Sequence, residues 1–450
     1  MIFNLKKMVN NNNINTINII ALPLILNSLT GLLIGMLDQA MVGRISIFAY
    51  GAVGVIVTTL YSISGIVGMI AVSFNILGSQ SMGLNDNEDL YNKFRITLVL
   101  SLLLGLLFYT FILIFKIPML KIVFCLEGEI LDEAVKYLNI FGLSVGLNLI
   151  IFVFSSLFKI LKMTKWIFYG SLIANISNLI IDYILIFGKF GISKMGVTGA
   201  AIGSVVALFI NIVVYILAIK NRNILKIEVK DCKNYIKQLV RKTIPLMGQE
   251  FLEGTLFSIG IVAIVSRIGV LEVASYTLLF NIINILLMPM YAYSSASLNL
   301  VSQFSVSKSK NKMKKIPELC LMMSVLFYII SSVIIILFKR TILGFMTNDI
   351  SVIDFSSTYL ILAISIQAFN LAHSIYKYSL QGINDEKWVF VVSLVINLVS
   401  MASIVWLVFI FKMNFSGVYI GLGINYLFLS LLFYYKYSKS IDRKFIVETI

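Results

Sequence analysis

The stretch LPLILNSLTGLLIGMLDQAMVGRIS, residues 22–46, holds one carboxylate, Asp38, inside an apolar run that is otherwise uncharged up to Arg44. A carboxylate at membrane depth costs about 2.5 to 3.5 kcal/mol on insertion scales, so it normally faces a protein interior or a wet cavity. Asp38 is therefore a candidate for an ion or substrate path. The alternative is that its side chain reaches the outer membrane interface, six residues before Arg44.

The composition around this stretch is that of an integral membrane protein. Of the 450 residues, 59% are hydrophobic and 13% charged, and the mean hydropathy is +0.96. Soluble domains are about 45–50% apolar and about 25% charged. Apolar runs long enough to cross about 30 Å of hydrocarbon as a helix recur along the chain. They predict an all-α protein with twelve transmembrane helices, at 17–43, 50–76, 96–115, 137–157, 166–187, 197–219, 243–266, 273–300, 316–337, 355–380, 388–411 and 415–435.

The basic residues indicate an orientation. Although the net charge is +15, these residues lie in short connections and do not form a basic domain, so no nucleic-acid partner is expected. Of the 36 Lys and Arg residues, 26 are at the termini or in and beside the even-numbered connections. By the positive-inside rule both termini are cytoplasmic, in a multi-pass protein of the plasma or inner membrane.

The second half of the chain repeats the first. VGRIS at 42–46 corresponds to VSRIG at 265–269, and Lys165-Trp166 corresponds to Lys387-Trp388. Pro23 with Pro245, Ser79-Gln80 with Ser302-Gln303, Asn175 with Asn397 and Gly196-Val197 with Gly417-Val418 keep nearly the same offset. Since each half has an even number of helices, the halves are parallel repeats, an arrangement typical of transporters with a substrate site between two rocking halves.

These repeats divide the chain into an N-terminal six-helix half at 1–219, a basic linker at 220–242 and a C-terminal six-helix half at 243–450. The linker has an apolar stripe at helical spacing: Cys232, Tyr235, Ile236, Leu239 and Val240. It predicts an amphipathic helix on the inner leaflet, attracted by anionic lipid. A solvated basic tether is the alternative interpretation.

The intramembrane polar residues of the first half are Asp38 on helix 1 and Asn178 and Asp182 on helix 5. Asn178 and Asp182 are four residues apart and so share a helix face. Both aspartates are expected in the outer half of the bilayer, where they could form one site. Oxygen ligands suit a hard cation such as Na+, and two close carboxylates can also share and release a proton. The residue types leave both chemistries open.

In the second half, helix 7 has Glu250 and Glu253, and helix 10 has Asn370, His373 and Lys377. Glu253, Asn370 and His373 are candidates for a second polar site, while Glu250 is as well explained by an interfacial position. His373, the only histidine, could carry protons or act as an interhelical hydrogen-bond donor. No cofactor and no metal are expected, apart from a coupling Na+ at Asp38, Asn178 and Asp182.

Aromatic and methionine side chains suit a cavity for varied lipophilic cations. The candidates are Tyr61, Phe74, Phe280, Met288 and Met290. Pro23 and Pro245, at equivalent points of helices 1 and 7, free a backbone carbonyl and permit a bend.

With these features together, the sequence resembles the MATE (multidrug and toxic compound extrusion) family over essentially its whole length. MLDQAMVGR at 36–44 is similar to the first-helix signature of that family, and NISNLIIDYILIFGKFGISKMGVTGAAIGS at 175–204 to its most recognisable segment. IPLMGQEFLEGTLF at 244–257 and SLQGINDEKW at 379–388 look like the matching segments of the second half.

The resemblance implies residue roles. Asp38, Asn178 and Asp182 match the cation site of the first half, Glu253 the acidic residue of helix 7, and Pro23 the bend of helix 1. Thr198 is the nearest match to a helix 6 ligand, with Ala200 in an alternative register. Some branches have a carboxylate where Asn370 aligns, which argues against a second cation site here.

The resulting prediction is a monomeric secondary antiporter that exports lipophilic, preferentially cationic compounds in exchange for Na+ or H+ by alternating access. A lipid-linked oligosaccharide flippase of the same superfamily is the alternative, although its cavity should be cationic. A membrane-embedded enzyme would need a nucleophile with a base, or a metal cluster, at helix depth; the sequence offers neither.

Overall fold

The computed structural model describes residues 11–222, 224 and 231–446 of the chain. Every regular element in this part of the chain is helical. Twelve of the described helices are long and apolar enough to cross a membrane, which confirms the twelve predicted spans. We label them α1 (Asn12–Gly43), α2 (Ile47–Gly83), α3 (Asn87–Val123), α4 (Gly128–Ile160), α5 (Lys165–Phe187), α6 (Val197–Arg222), α7 (Cys232–Val265), α8 (Val270–Val306), α9 (Lys310–Leu337), α10 (Ile350–Gly382), α11 (Glu386–Ile410) and α12 (Asn414–Arg443).

The contacts divide the chain into two compact units. Among the described residues, the N-terminal unit consists of residues 22–78, 86–222, 224 and 231–243. The described part of the C-terminal unit consists of residues 11–21, 79–85 and 244–446. The units thus differ from the two predicted halves, since the start of α1 and the end of α2 belong with the second half of the chain.

The N-terminal unit packs around buried aromatic rings. Phe94 and Phe154 meet edge to face, with ring centroids 5.2 Å apart, and Phe158 packs edge-on against Tyr215 at 5.0 Å. Helices α3 and α4 approach each other through glycines, since a Cβ on Gly105 would lie 2.4 Å from the Cα of Gly146. This backbone contact needs the absence of side chains, as in many membrane helix pairs.

The C-terminal unit has polar pairs inside an apolar core. The hydroxyls of Ser294 and Ser374, on α8 and α10, are 3.0 Å apart, and those of Ser297 and Ser379 are 2.8 Å apart. The start of α1 is attached here, because the Tyr293 hydroxyl donates a 3.0 Å hydrogen bond to Asn18 Oδ1. Internal pairing of this kind satisfies polar groups that lipid cannot.

The predicted linker helix is not a separate element. Residues from Cys232 onward continue into α7 without a break, so the predicted boundary at 242/243 falls inside a helix. Tyr235 and Leu239 of the apolar stripe are buried in the N-terminal unit, and the Tyr235 hydroxyl is 2.6 Å from the Thr97 hydroxyl. The stripe therefore packs against protein at Tyr235 and Leu239, while Cys232 and Val240 are exposed. Residues 223 and 225–230 of the predicted linker lie outside the described residues.

Candidate functional site

The two aspartates of the first half meet in the N-terminal unit. Asp182 on α5 is fully buried, and Asp38 on α1 is partly buried beside it, with their carboxyl groups close enough to share a hydrogen bond. Asn178, one turn before Asp182, donates a 2.8 Å hydrogen bond from Nδ2 to Asp182 Oδ2. The predicted trio is therefore brought together.

One oxygen of each aspartate lacks a hydrogen-bond donor. Oδ1 of Asp38 and Oδ1 of Asp182 are buried and have no hydrogen-bond partner among the described residues. Ionised carboxylates only accept hydrogen bonds, so they have no hydrogen to share with one another. A proton or a small cation between them would satisfy both oxygens.

Helix α6 approaches Asp182 at a glycine. A Cβ on Gly203 would lie 1.8 Å from Asp182 Oδ1, far inside van der Waals contact. Only a residue without a side chain leaves the carboxylate where it is. Neither spacing nor composition singled out Gly203, because its role depends on how α6 packs against α5.

A cavity of about 350 Å³ opens beside Asp38 within the N-terminal unit. Two aromatic contacts line it: Tyr61 meets Phe141 edge to face at 6.5 Å, and Tyr137 lies 4.8 Å from Phe141 between centroids. A carboxylate next to aromatic faces is a favourable setting for a cation. Its polar and aromatic lining consists of Asp38, Gln39, Tyr50, Tyr61, Tyr137, Phe141 and Ser204.

The helix 6 residue in this cavity is Ser204, not Thr198. Ser204 lines the cavity and hydrogen-bonds Tyr137, whereas Thr198 is absent from the lining. Six residues correspond to about 240° around an α-helix, so the two side chains leave α6 in different directions. The alternative position, Ala200, is buried in the apolar core.

Glu253 of the C-terminal unit forms an ion pair. Lys377 Nζ on α10 donates a 2.8 Å hydrogen bond to Glu253 Oε2, and Gln249 Nε2 donates to Glu253 Oε1 at 3.1 Å. Glu253 lies in a π-helical turn, Phe251–Phe257, inside α7. Such turns are frequent at functional sites.

Asn370 and His373 form a second polar group on α10. Asn370 Nδ2 donates to Gln367 Oε1 at 2.9 Å, and His373 Nδ1 is 3.1 Å from Asn370 Oδ1. The imidazole ring stacks on Tyr426 with centroids 6.0 Å apart. Both residues are buried.

The predicted cavity residues have three different environments. Tyr61 lines the cavity beside Asp38, and Phe280 lines an apolar groove between α7 and α8. Phe74 and Met290 are packed in the interior, 0% and 2% exposed, so the structure does not place them at a cavity wall. Met288 is partly buried on α8. Pro23 lies inside α1, which is helical on both sides of it.

Comparison with known proteins gives one family. The MatE family model matches residues 23–184 and again residues 245–407. The two matches begin 222 residues apart, which confirms the internal duplication. The chain is 23% identical over 421 residues to a probable multidrug resistance protein NorM of Thermotoga maritima, covering 92% of this chain and 89% of that protein. A probable NorM of Xylella fastidiosa strain Temecula1 is 23% identical, covering 95% and 92%.

Two solved structures show the same fold. A MATE structure described as the bent conformation superposes with a TM-score of 0.87 at 15% identity and covers 99% of both chains. An outward-facing multidrug resistance MATE family transporter of the MOP superfamily gives 0.86 at 16% identity and covers 96% of both.

Proposed function

Because the chain belongs to the MatE family, we propose that it is a secondary active antiporter that exports lipophilic, preferentially cationic compounds in exchange for Na+ or H+. Its relatives bear the name of multidrug resistance proteins. Exchange of one Na+ or H+ for one monovalent cationic substrate moves no net charge, so the concentration gradient of the coupling cation drives this export. For a neutral substrate the membrane potential adds about 2.3 kcal/mol per charge per 100 mV.

The observation that carries this proposal is the pair of donor-free oxygens at Asp38 and Asp182. Two buried negative charges at hydrogen-bonding distance repel one another, so the pair favours a bound proton or Na+. Release of that cation restores the repulsion. A site that gains and loses one positive charge is what coupling requires.

The substrate chemistry follows from the cavity beside Asp38. Its aromatic rings offer polarizable faces, and Asp38 supplies a negative charge. A lipophilic cation is attracted by both. We propose that the two halves expose substrate and coupling cation to alternate sides of the membrane, with Pro23 as the bend of α1, both termini in the cytoplasm, and the protein acting as a monomer.

Transport by inverted membrane vesicles tests the proposal. The vesicles contain the wild type or Asp38→Asn, and uptake of the fluorescent cation ethidium is followed under a Na+ or a pH gradient imposed separately. The wild type should respond to one gradient, and Asp38→Asn should lose that response. Asp354→Asn, which changes an aspartate 53% exposed in an ion pair with Arg340, is the matched control. Unchanged gradient-driven uptake by Asp38→Asn contradicts the proposal.

A further inference from the structure

The ammonium group of Lys377 forms an ion pair with Glu253 in the C-terminal unit. Lys377 Nζ and Glu253 Oε2 are 2.8 Å apart, and their side chains are only 16% and 19% exposed. Charged side chains in membrane helices are rare and costly, and they pair with one another when they occur. The ion pair is therefore an integral part of the contact between α7 and α10.

The remaining acceptor of Glu253 is also used. Gln249 Nε2 donates to Glu253 Oε1 at 3.1 Å. Gln249 is itself held, because its Oε1 accepts a 3.0 Å hydrogen bond from Gln381 Nε2 on α10. Both carboxylate oxygens thus have donors, and the network around them is satisfied.

The ammonium group of Lys377 has further favourable neighbours. It lies 5.4 Å from the ring centroid of Tyr378, within the range of a cation–π contact. Glu250, one turn before Glu253 in sequence, interacts with it electrostatically. Lys377 thus has the surroundings that an organic ammonium ion would need: a carboxylate, a second acidic neighbour and an aromatic face.

We propose that Lys377 is a tethered cation that takes the place of a mobile cation beside Glu253 and so determines the charge preference of this half. While the pair is closed, the C-terminal unit has no free carboxylate at Glu253 for a lipophilic cation. This inference rests on the proposed function in one respect: it leaves the Asp38 and Asp182 site to hold the exchangeable cation.

Equilibrium binding of tritiated tetraphenylphosphonium to the purified full-length protein tests the role of Lys377. Lys377→Gln keeps a similar length but removes the ammonium charge, so Glu253 becomes available. We expect binding at least about tenfold tighter than in the wild type, corresponding to about 1.4 kcal/mol. The double variant Lys377→Gln/Glu253→Gln should return to the wild-type affinity.

A matched control separates this effect from net charge. Lys314→Gln removes one positive charge from a surface pair with Asp442 in the same unit, 2.8 Å apart, and should leave binding unchanged. A folded Lys377→Gln that binds no more tightly contradicts the proposal. So does a gain that persists in the double variant.

A second measurement covers a Lys377→Gln variant that fails to fold. If Glu253 binds cations despite Lys377, then Glu253→Gln alone weakens tetraphenylphosphonium binding by tenfold or more, and the proposal is wrong. Unchanged binding by Glu253→Gln supports it. Asp38→Asn in the vesicle assay reports on the antiport proposal separately, so failure of either idea is recognised independently.

Discussion

The two halves of this chain are internal repeats, yet the carboxylates inside them differ in their hydrogen-bond partners. In the N-terminal unit, Asp38 and Asp182 each leave one oxygen without a donor. In the C-terminal unit, both oxygens of Glu253 receive donors, from Lys377 and Gln249. An open acceptor can take up and release a cation, whereas a saturated one already has its partner. The difference supports the proposal that one half exchanges a cation, and the other half has a closed ion pair.

The duplication sharpens this contrast at equivalent positions. An offset of 222 places Gly260 where the first half has Asp38, and Ile404 where it has Asp182. A Cβ on Gly260 would lie 2.4 Å from Met401 Cε, and Ile404 is fully buried. Ser400, the counterpart of Asn178, accepts a 2.9 Å hydrogen bond from Asn425 Nδ2, which also donates to Asn397. The second half thus has a neutral cluster there.

Gly203→Ala should have the largest effect on the open site. The added methyl group would overlap Asp182 Oδ1 and push the carboxylate out of position. We expect a loss of gradient-driven ethidium uptake of about 100-fold, because misplacing a reacting group by about 1 Å has costs of that size. Gly31→Ala, where a Cβ meets nothing within 4 Å, is the control and should transport normally. Normal transport by Gly203→Ala would refute the packing argument.

Asn178→Ala should have a smaller effect than Gly203→Ala, and its comparison with Ser400→Ala distinguishes the two halves. The hydrogen bond to Asp182 Oδ2 stabilises the ionised carboxylate, so its loss should change the affinity for the coupling cation about tenfold, with tighter binding where that cation is H+, since such a bond contributes about 1 kcal/mol and more when charged. The equivalent change, Ser400→Ala, should lower thermal stability slightly and leave cation affinity unaltered. Equal effects of the two substitutions on cation affinity would remove the distinction between the halves.

Tyr61→Ala tests whether the aromatic wall belongs to the substrate site. Loss of one cation–π partner should weaken tetraphenylphosphonium binding about fourfold. Phe280→Ala, in the apolar groove of the C-terminal unit, should change it less, because no carboxylate lines that groove. A larger effect at Phe280 would move the cation-binding surface to the other unit.

Ser204→Ala should have the smallest effect of these substitutions. It tests which residue of helix 6 contributes to the cavity. Its hydroxyl lines the cavity and hydrogen-bonds Tyr137, so we expect about a twofold rise in the apparent Michaelis constant for ethidium. Thr198→Ala should be indistinguishable from the wild type in the same assay. An effect of Thr198→Ala without an effect of Ser204→Ala would favour Thr198, the residue that the family resemblance implies.

The fold was predictable because hydropathy and internal repetition can be read directly from the sequence. Runs of apolar residues identified all twelve helices, and pairs such as Pro23 and Pro245 identified the duplication. The spacing of Asn178 and Asp182 placed them on one face of α5, as found. The predicted start of α7 at residue 243 was wrong, since the helix begins at Cys232. The basic residues of this first segment lower its hydropathy: Lys233, Lys237, Arg241 and Lys242.

The fine structure of the sites was not predictable, because it depends on how helices rotate against one another. A sequence places Lys377 on α10 and Glu253 on α7, but only the packing brings them to 2.8 Å. The same holds for Gly203 beside Asp182, which required the approach of α6 to α5. Phe74 and Met290 were candidates for a cavity on composition alone, and burial places both in the interior.

The most direct test of the account is the number of exchangeable cations per molecule. Purified wild type and Asp38→Asn/Asp182→Asn are titrated with 22Na+ at equilibrium, and proton uptake is followed in weakly buffered solution. The account predicts one exchangeable cation in the wild type, either Na+ or H+, and none in the double variant. A cation that still binds and exchanges when both aspartates are gone would contradict it.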